Sequence, residues 1–182
     1  MKKIFIGLLF IMLALKIRID LLPDFVGYLL IWKGCAEMSA DSSKLTSARS
    51  LALVMTAVTA VIFVMGLFGL TSGLGILGTV IELVMVLGSL LMIFMLGQGI
   101  CQVQEKNGVE LNGQAIINSG KLLAVSEIVA YVLLLIGGTE GVLALVATVL
   151  LLASFLFKVV LLISAFMANK MYKAWKNPVE EE

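Results

Sequence analysis

The fold of this chain is decided by the stretch from Ser50 to Leu70, which reads SLALVMTAVTAVIFVMGLFGL. It contains no charged residue over 21 positions. At about 1.5 Å of rise per residue, a helix of this length covers about 30 Å, the thickness of the hydrocarbon layer of a bilayer. Buried helices of soluble proteins are rarely so uniformly apolar, so the stretch predicts a transmembrane helix.

Three further apolar runs are nearly as long, and each contains a single charged residue. They are Ile76 to Ile100 with Glu82, Leu122 to Gly138 with Glu127, and Val142 to Asn169 with Lys158. Short Gly-containing connections, Thr71 to Gly75 and Thr139 to Gly141, are typical of tight turns between antiparallel helices. The sequence therefore predicts an all-α fold: a polytopic transmembrane helical bundle of about six helical segments, with four clear spans arranged in two hairpins.

The composition excludes most soluble functions. The chain has 182 residues, of which 61% are hydrophobic and 14% charged, and its mean hydropathy is +1.12. Soluble domains carry roughly 25% charged residues, so this chain has too few polar side chains to cover a water-exposed surface. The formal net charge is +1 and no basic stripe is present, so the bilayer is the expected partner and nucleic acid is not.

The distribution of Lys and Arg predicts the orientation of the helices. Both tight turns lack these residues, whereas the other connections and both termini contain them: Lys2, Lys3, Lys33, Lys44, Arg49, Lys106, Lys121, Lys170, Lys173 and Lys176. Positive charges in short loops stay on the cytoplasmic side. We therefore expect a multi-pass plasma (inner) membrane protein with both termini in the cytoplasm and both turns outside.

Residues 1–40 are predicted to form a short helical hairpin, and residues 41–182 a four-helix transmembrane bundle with a cytoplasmic tail, together one structural domain. The first apolar run, Ile4 to Leu15, gives only about 18 Å of helix. A second helix is expected to begin near Pro23, with Asp24 at its positive dipole end. A re-entrant hairpin packed on the bundle and a full crossing with snorkelling cations both fit these lengths.

The heptapeptide Leu22-Pro23-Asp24-Phe25-Val26-Gly27-Tyr28 resembles the N-terminal signature of small, uncharacterised bacterial multi-spanning membrane proteins. This resemblance covers about Ile19 to Gly34. It implies a bacterial plasma membrane and implies no reaction. From the residues themselves, Pro23, Asp24, Gly27 and Tyr28 form a candidate helix-start motif, and a start signal is favoured over a ligand role.

The charged residues inside the spans are the candidate polar site. A charge at the bilayer centre costs about 2.5 to 3.5 kcal/mol on insertion scales, so Glu82, Glu127 and Lys158 need an explanation. Side chains lean toward their own helix N-terminus, and depths counted from the ends of the apolar runs place Glu127 and Lys158 leaning apart. Glu82 is then the alternative partner of Lys158. A pair that fixes helix register is favoured over a polar cavity in a transport path.

Ordinary catalytic chemistry lacks its residues. The chain has no histidine, and Cys35 and Cys101 stand alone, so no metal site and no cofactor are expected. A phosphate-binding Gly loop, a Ser-His-Asp set and a paired-carboxylate site are absent from the sequence. We therefore expect no enzymatic activity. The polar stretch from Gln102 to Gly120, with turn signals at Asn107-Gly108 and Asn112-Gly113, is predicted to be a cytoplasmic loop.

Two functional hypotheses remain after enzymes are set aside. The favoured one is a non-enzymatic membrane subunit or scaffold, whose apolar helices pack on a membrane protein partner or on further copies of the chain. The alternative is a small transporter or channel component that uses Glu82, Glu127 and Lys158.

Overall fold

The computed structural model describes residues 1–12, 16–17, 19–20, 24–70, 75–137 and 141–177, with the backbone alone at 16, 17, 19, 20 and 76. In this part of the chain the fold is an all-α bundle, as predicted. Its elements are α1 (Lys2–Met12), β1 (Lys16–Ile17), β2 (Ile19–Asp20), α2 (Asp24–Met38), a 3-10 turn (Ser39–Asp41), α3 (Ser43–Leu67), α4 (Gly75–Asn107), α5 (Gly113–Gly137) and α6 (Gly141–Lys176). The two short strands pair antiparallel, Lys16 with Asp20 and Ile17 with Ile19.

The four predicted spans are confirmed as helices. Within the described residues, four helices are long and apolar enough to cross a membrane: Ser43–Leu67, Leu77–Asn107, Gly113–Gly137 and Gly141–Lys176. α1 and α2 contain 11 and 15 residues, about 16 and 22 Å of helix, so neither covers the ~30 Å hydrocarbon layer by itself. The expected short helical hairpin is thus present. Pro23 lies outside the described residues, as does most of the connection between the two helices.

The predicted loop from Gln102 to Gly120 is wrong, because helix occupies most of it. α4 continues to Asn107 and α5 begins at Gly113, so only five residues connect them. The two turn signals lie at these ends. Gly108, with φ of +64°, has the left-handed conformation that commonly ends a helix, here α4, and Asn112, with φ of +59°, directly precedes α5. Polar residues therefore extend these helices beyond the apolar layer instead of ending them.

Hydrogen bonds join the polar helix ends to one another. The Oγ of Ser42 accepts from the backbone N–H of Leu45 at 3.2 Å, capping α3, and donates to Oε1 of Gln102 on α4 at 2.7 Å. Nδ2 of Asn112 donates to the carbonyl oxygen of Ser164 on α6 at 3.3 Å. These contacts explain why the polar segments are helical: caps and neighbouring helices satisfy their end groups.

The six helices form a closed ring. Each helix packs against the next one in the chain, and α6 packs back against α1, where the rings of Phe5 and Phe166 lie 5.6 Å apart. We call the end of the bundle where α1 begins and α6 ends the terminus end, and the opposite end the turn end. Gly7 and Gly27 permit the close crossing of α1 and α2, since a Cβ at Gly7 would lie 2.5 Å from the carbonyl oxygen of Gly27.

Packing is tight in the half of the ring nearer the terminus end. Leu45, Leu96, Ile116 and Leu161 have at most 1% of their surface exposed. Toward the turn end, α3 has no buried residue after Thr59. Likewise, the described side chains of α4 before residue 90 are all at least partly exposed. The middle and turn-end part of the ring therefore leaves space between the helices.

Candidate functional site: a polar cavity inside the helix ring

A cavity of about 910 Å³ lies inside the ring. All six helices contribute to its wall: Ile11, Met12, Asp24, Tyr28, Thr59, Ile62, Phe63, Gly66, Leu67, Ile81, Glu82, Met85, Val86, Ser89, Leu123, Glu127, Tyr131 and Lys158. Its size is at the upper end of the range for small-molecule pockets, about 300 to 1,000 Å³. The wall reaches the last turn of α3 but does not pass residue 89 of α4, so the cavity extends from mid-bundle to the turn end.

The three intramembrane charges predicted from the sequence, Glu82, Glu127 and Lys158, all line this cavity. Two residues of the helix-start motif join them. Asp24 is the first residue of α2, as predicted, and Tyr28 is 2% exposed; both line the cavity. Gly27 lies against α1 at the close crossing. The described residues of the motif thus lie at the start of α2, and Asp24 and Tyr28 contribute a carboxyl group and a phenol to the cavity.

Glu127 and Lys158 form a direct ion pair. The Nζ of Lys158 lies 2.8 Å from Oε1 of Glu127, with side-chain exposures of 31% and 14%. The expectation that they lean apart is wrong, because depth has to be counted from the facing helix ends, Gly137 of α5 and Gly141 of α6. Glu127 lies ten residues before the end of α5 at Gly137 and Lys158 seventeen residues after the start of α6 at Gly141, about 15 and 25 Å from the turn. With Lys158 farther from the turn, leaning toward each helix N-terminus brings the two groups together.

Glu82 has a different partner. The hydroxyl of Tyr131 donates to Oε2 of Glu82 at 3.3 Å. Among the described residues Glu82 makes no ion pair; those observed are Lys3–Glu37, Lys106–Asp41 and Lys158–Glu127. The alternative pairing of Glu82 with Lys158 is therefore not the one adopted, and α4 presents a carboxyl group whose observed donor is a neutral phenol.

Tyr131 was missed by the sequence analysis, although a signal for it exists. It follows Glu127 by four residues, and Leu123 precedes Glu127 by four, so the three lie on one face of α5. All three line the cavity. An i, i+4 search outward from each intramembrane charge would have found this residue.

The remaining wall combines hydroxyl groups with apolar side chains. The hydroxyls of Thr59 and Ser89 donate to carbonyl oxygens of their own helices, at 2.6 Å to Met55 and 2.8 Å to Val86, which leaves their oxygens as acceptors. Most other lining residues are aliphatic side chains or methionine. Phe63 adds an aromatic ring, in contact with Phe25 at 5.5 Å between ring centroids. The cavity is thus amphipathic, with acidic groups on a largely apolar wall.

The site does not assemble a metal-binding set from the described residues: no three Cys, Asp or Glu side chains there come close enough together to hold a metal ion. Cys35 and Cys101 are free thiols, as expected, and neither lines the cavity.

Comparison of the chain with models of protein families, with curated proteins and with solved structures finds no match. The resemblance of the Leu22 to Tyr28 heptapeptide therefore stays a prediction.

Proposed function

We propose that this chain is a non-enzymatic multi-pass membrane protein that binds a positively charged solute in its cavity and moves it across the plasma membrane, as a small transporter or channel component. One observation carries the proposal: Glu82 lines the cavity without an ion-pair partner among the described residues, while Glu127 is already paired with Lys158. Each charge inside a span costs about 2.5 to 3.5 kcal/mol on insertion scales. A carboxyl group beside an ion pair that is already neutral favours a cation.

Glu82 separates this proposal from a purely structural use of the charges. The Glu127–Lys158 pair by itself is consistent with fixing the register of α5 against α6. Glu82 adds nothing to that pair, since its observed hydrogen bond is to Tyr131. An extra carboxyl group at this depth, open to a cavity of about 910 Å³, is expected where a solute supplies the compensating charge.

The scaffold hypothesis is the weaker candidate. It depends on exposed apolar side chains such as Leu53, Val61, Val84 and Leu152, which are 51 to 67% exposed. The acyl chains of lipid cover such faces as well as a partner helix does. The exposed faces therefore support membrane embedding without pointing to a protein partner.

The lysine distribution supports an orientation with both termini in the cytoplasm. The turn end of the ring then faces the outside, and the cavity faces the same way. The tightly packed terminus end becomes the barrier on the cytoplasmic side. Transport in this arrangement requires a second conformation in which that barrier opens.

The test is cation movement by the purified chain in liposomes, measured as charge displacement on a solid-supported membrane. A panel of sodium, guanidinium, choline and tetraphenylphosphonium is applied to wild type, Glu82→Gln and Glu105→Gln. Glu105 is exposed on α4 and does not line the cavity, so its variant is the matched control. We expect a current with at least one cation that Glu82→Gln abolishes and Glu105→Gln retains. A folded chain that responds to no cation and co-purifies in a fixed ratio with another membrane protein would establish the scaffold instead.

A further inference from the structure

We infer that the solute is a bulky monovalent organic cation with an apolar or aromatic body, and that Glu82 is its counter-ion. This inference rests on the proposed function and narrows it. It joins three properties of the cavity: its volume, the distribution of its charged partners and the character of its wall.

The volume argues against a bare ion or a proton path. A proton relay needs only a chain of hydrogen-bonding groups, and a desolvated metal ion needs a tight shell of oxygen ligands. A cavity of about 910 Å³ has room for a drug-sized molecule, for which pockets span about 300 to 1,000 Å³. Within the described residues, moreover, no three acidic side chains converge to form an oxygen cage.

The charged partners argue for a single positive charge. Glu127 already has a counter-ion, because Nζ of Lys158 lies 2.8 Å from its Oε1. Among the described residues, the hydrogen-bond donor observed at Glu82 is the neutral hydroxyl of Tyr131, at 3.3 Å. A monovalent cation beside Glu82 compensates this carboxylate without displacing Lys158, whereas a cation at Glu127 would have to separate an existing pair. Glu82 is exposed, so a cation can reach it without displacing other side chains.

The wall argues for an apolar body with a diffuse charge. Apolar side chains line the cavity on the helix that carries Glu82 and on its neighbour: Ile81, Met85 and Val86 lie on α4, and Ile62 lies on α3. Three aromatic rings, those of Tyr28, Phe63 and Tyr131, also line the cavity. Ring faces attract cations that have few hydrogen-bond donors, such as quaternary ammonium groups. Small hydrated cations would lose their water shell here without gaining enough oxygen ligands in return.

The experiment is equilibrium binding of radiolabelled tetraphenylphosphonium to the full chain in lipid nanodiscs, with empty nanodiscs subtracted. Tetraphenylborate, an anion of nearly the same shape and apolar surface, controls for partition into lipid. We expect saturable binding of one cation per chain and no saturable binding of the anion. Other amphipathic cations should compete, whereas a hundredfold excess of sodium or guanidinium should not.

The variants assign the counter-ion. Glu82→Gln should weaken binding at least tenfold and Glu105→Gln should leave it unchanged. Glu82→Asp, which keeps the charge, should retain binding within a few fold. If Glu82→Gln does not fold, Glu82→Met takes its place, with the same tenfold loss expected. Equal binding of the cation and the anion, or equal affinity of Glu82→Gln and Glu105→Gln, would overturn the inference.

The binding and current measurements together distinguish a wrong solute class from a wrong proposed function. If small hydrated cations produce a Glu82-dependent current but tetraphenylphosphonium does not bind, the solute class is wrong and the proposed function stands. If no cation binds and none is moved, both are wrong.

Discussion

Breaking the Glu127–Lys158 pair should lower the free energy of unfolding by an amount that depends on how exposed the two side chains are. Removing one partner of a fully buried pair costs about 3 to 5 kcal/mol, and exposed pairs contribute about 0.2 to 1 kcal/mol. The side chains here are 14% and 31% exposed, between those cases. We therefore expect Glu127→Gln to cost about 2 kcal/mol, because it leaves an ammonium group inside the helix ring without its carboxylate.

The double variant allows the coupling free energy between Glu127 and Lys158 to be measured. Lys158→Met leaves a carboxyl group that can take up a proton, so its cost should be smaller, about 1 kcal/mol. Glu127→Gln with Lys158→Met removes both charges together and should cost no more than about 1 kcal/mol. The coupling free energy between the two positions is then about 2 kcal/mol.

The free energy of unfolding can be measured in detergent micelles by titration with dodecyl sulfate. The fluorescence of Trp32 and Trp175, the two tryptophans of the chain, reports the transition. The matched control is the Asp41–Lys106 pair, which has a similar distance of 2.9 Å but exposures of 35% and 54%. Its cycle should give less than about 1 kcal/mol. Additivity at Glu127 and Lys158 within about 0.5 kcal/mol would refute the claim that this pair stabilises the α5–α6 register.

Other parts of the structure lead to further predictions. Gly7→Ala should lower the free energy of unfolding by about 2 kcal/mol, since the added methyl group would meet the backbone of α2. Gly66→Ala, with no atom within 4 Å of the added Cβ, should leave the free energy of unfolding unchanged or raise it by up to about 1 kcal/mol. Thermal unfolding of both variants in detergent measures the difference. Gln102→Leu should lower the free energy of unfolding by about 1 to 2 kcal/mol, because the polar groups at the start of α3 lose their acceptor. In a cysteine-free background, Leu70→Cys should react with an impermeant maleimide added outside intact cells and Asn107→Cys only after lysis; the reverse pattern would invert the proposed topology.

Much of the fold could be predicted because membrane helices obey a simple length rule. The run from Ser50 to Leu70 has no soluble alternative, and each of the other three spans differs from it by one charge. The ends of the helices could not be predicted from hydropathy. α4 passes Ile100 and continues to Asn107. Its polar residues there accept hydrogen bonds, Gln102 from Ser42 at the start of α3 and Gln104 from the backbone N–H of Leu111 in the connection to α5, and no local pattern reports such contacts.

Only part of the candidate site could be predicted from the sequence. Three charges in apolar runs were recognisable as costly residues, and all three reach the cavity. The pairing of Lys158 with Glu127 follows from where α5 ends and α6 begins. Apolar composition locates these helix ends poorly. That Asp24 and Tyr28 would join the same cavity depends on how α2 packs within the ring, a long-range contact that no local pattern near residue 24 contains.

The contact between α1 and α6 has a consequence for biosynthesis. The ring closes where α6 packs against α1, so the cavity has no complete wall until α6, which is synthesised after the other five helices, has emerged from the ribosome. Glu127 emerges 31 residues before Lys158, and until then its carboxyl group has no ammonium partner. The translocon is therefore expected to release α5 and α6 into lipid together as one inserted unit, with the charges neutralised in the same step.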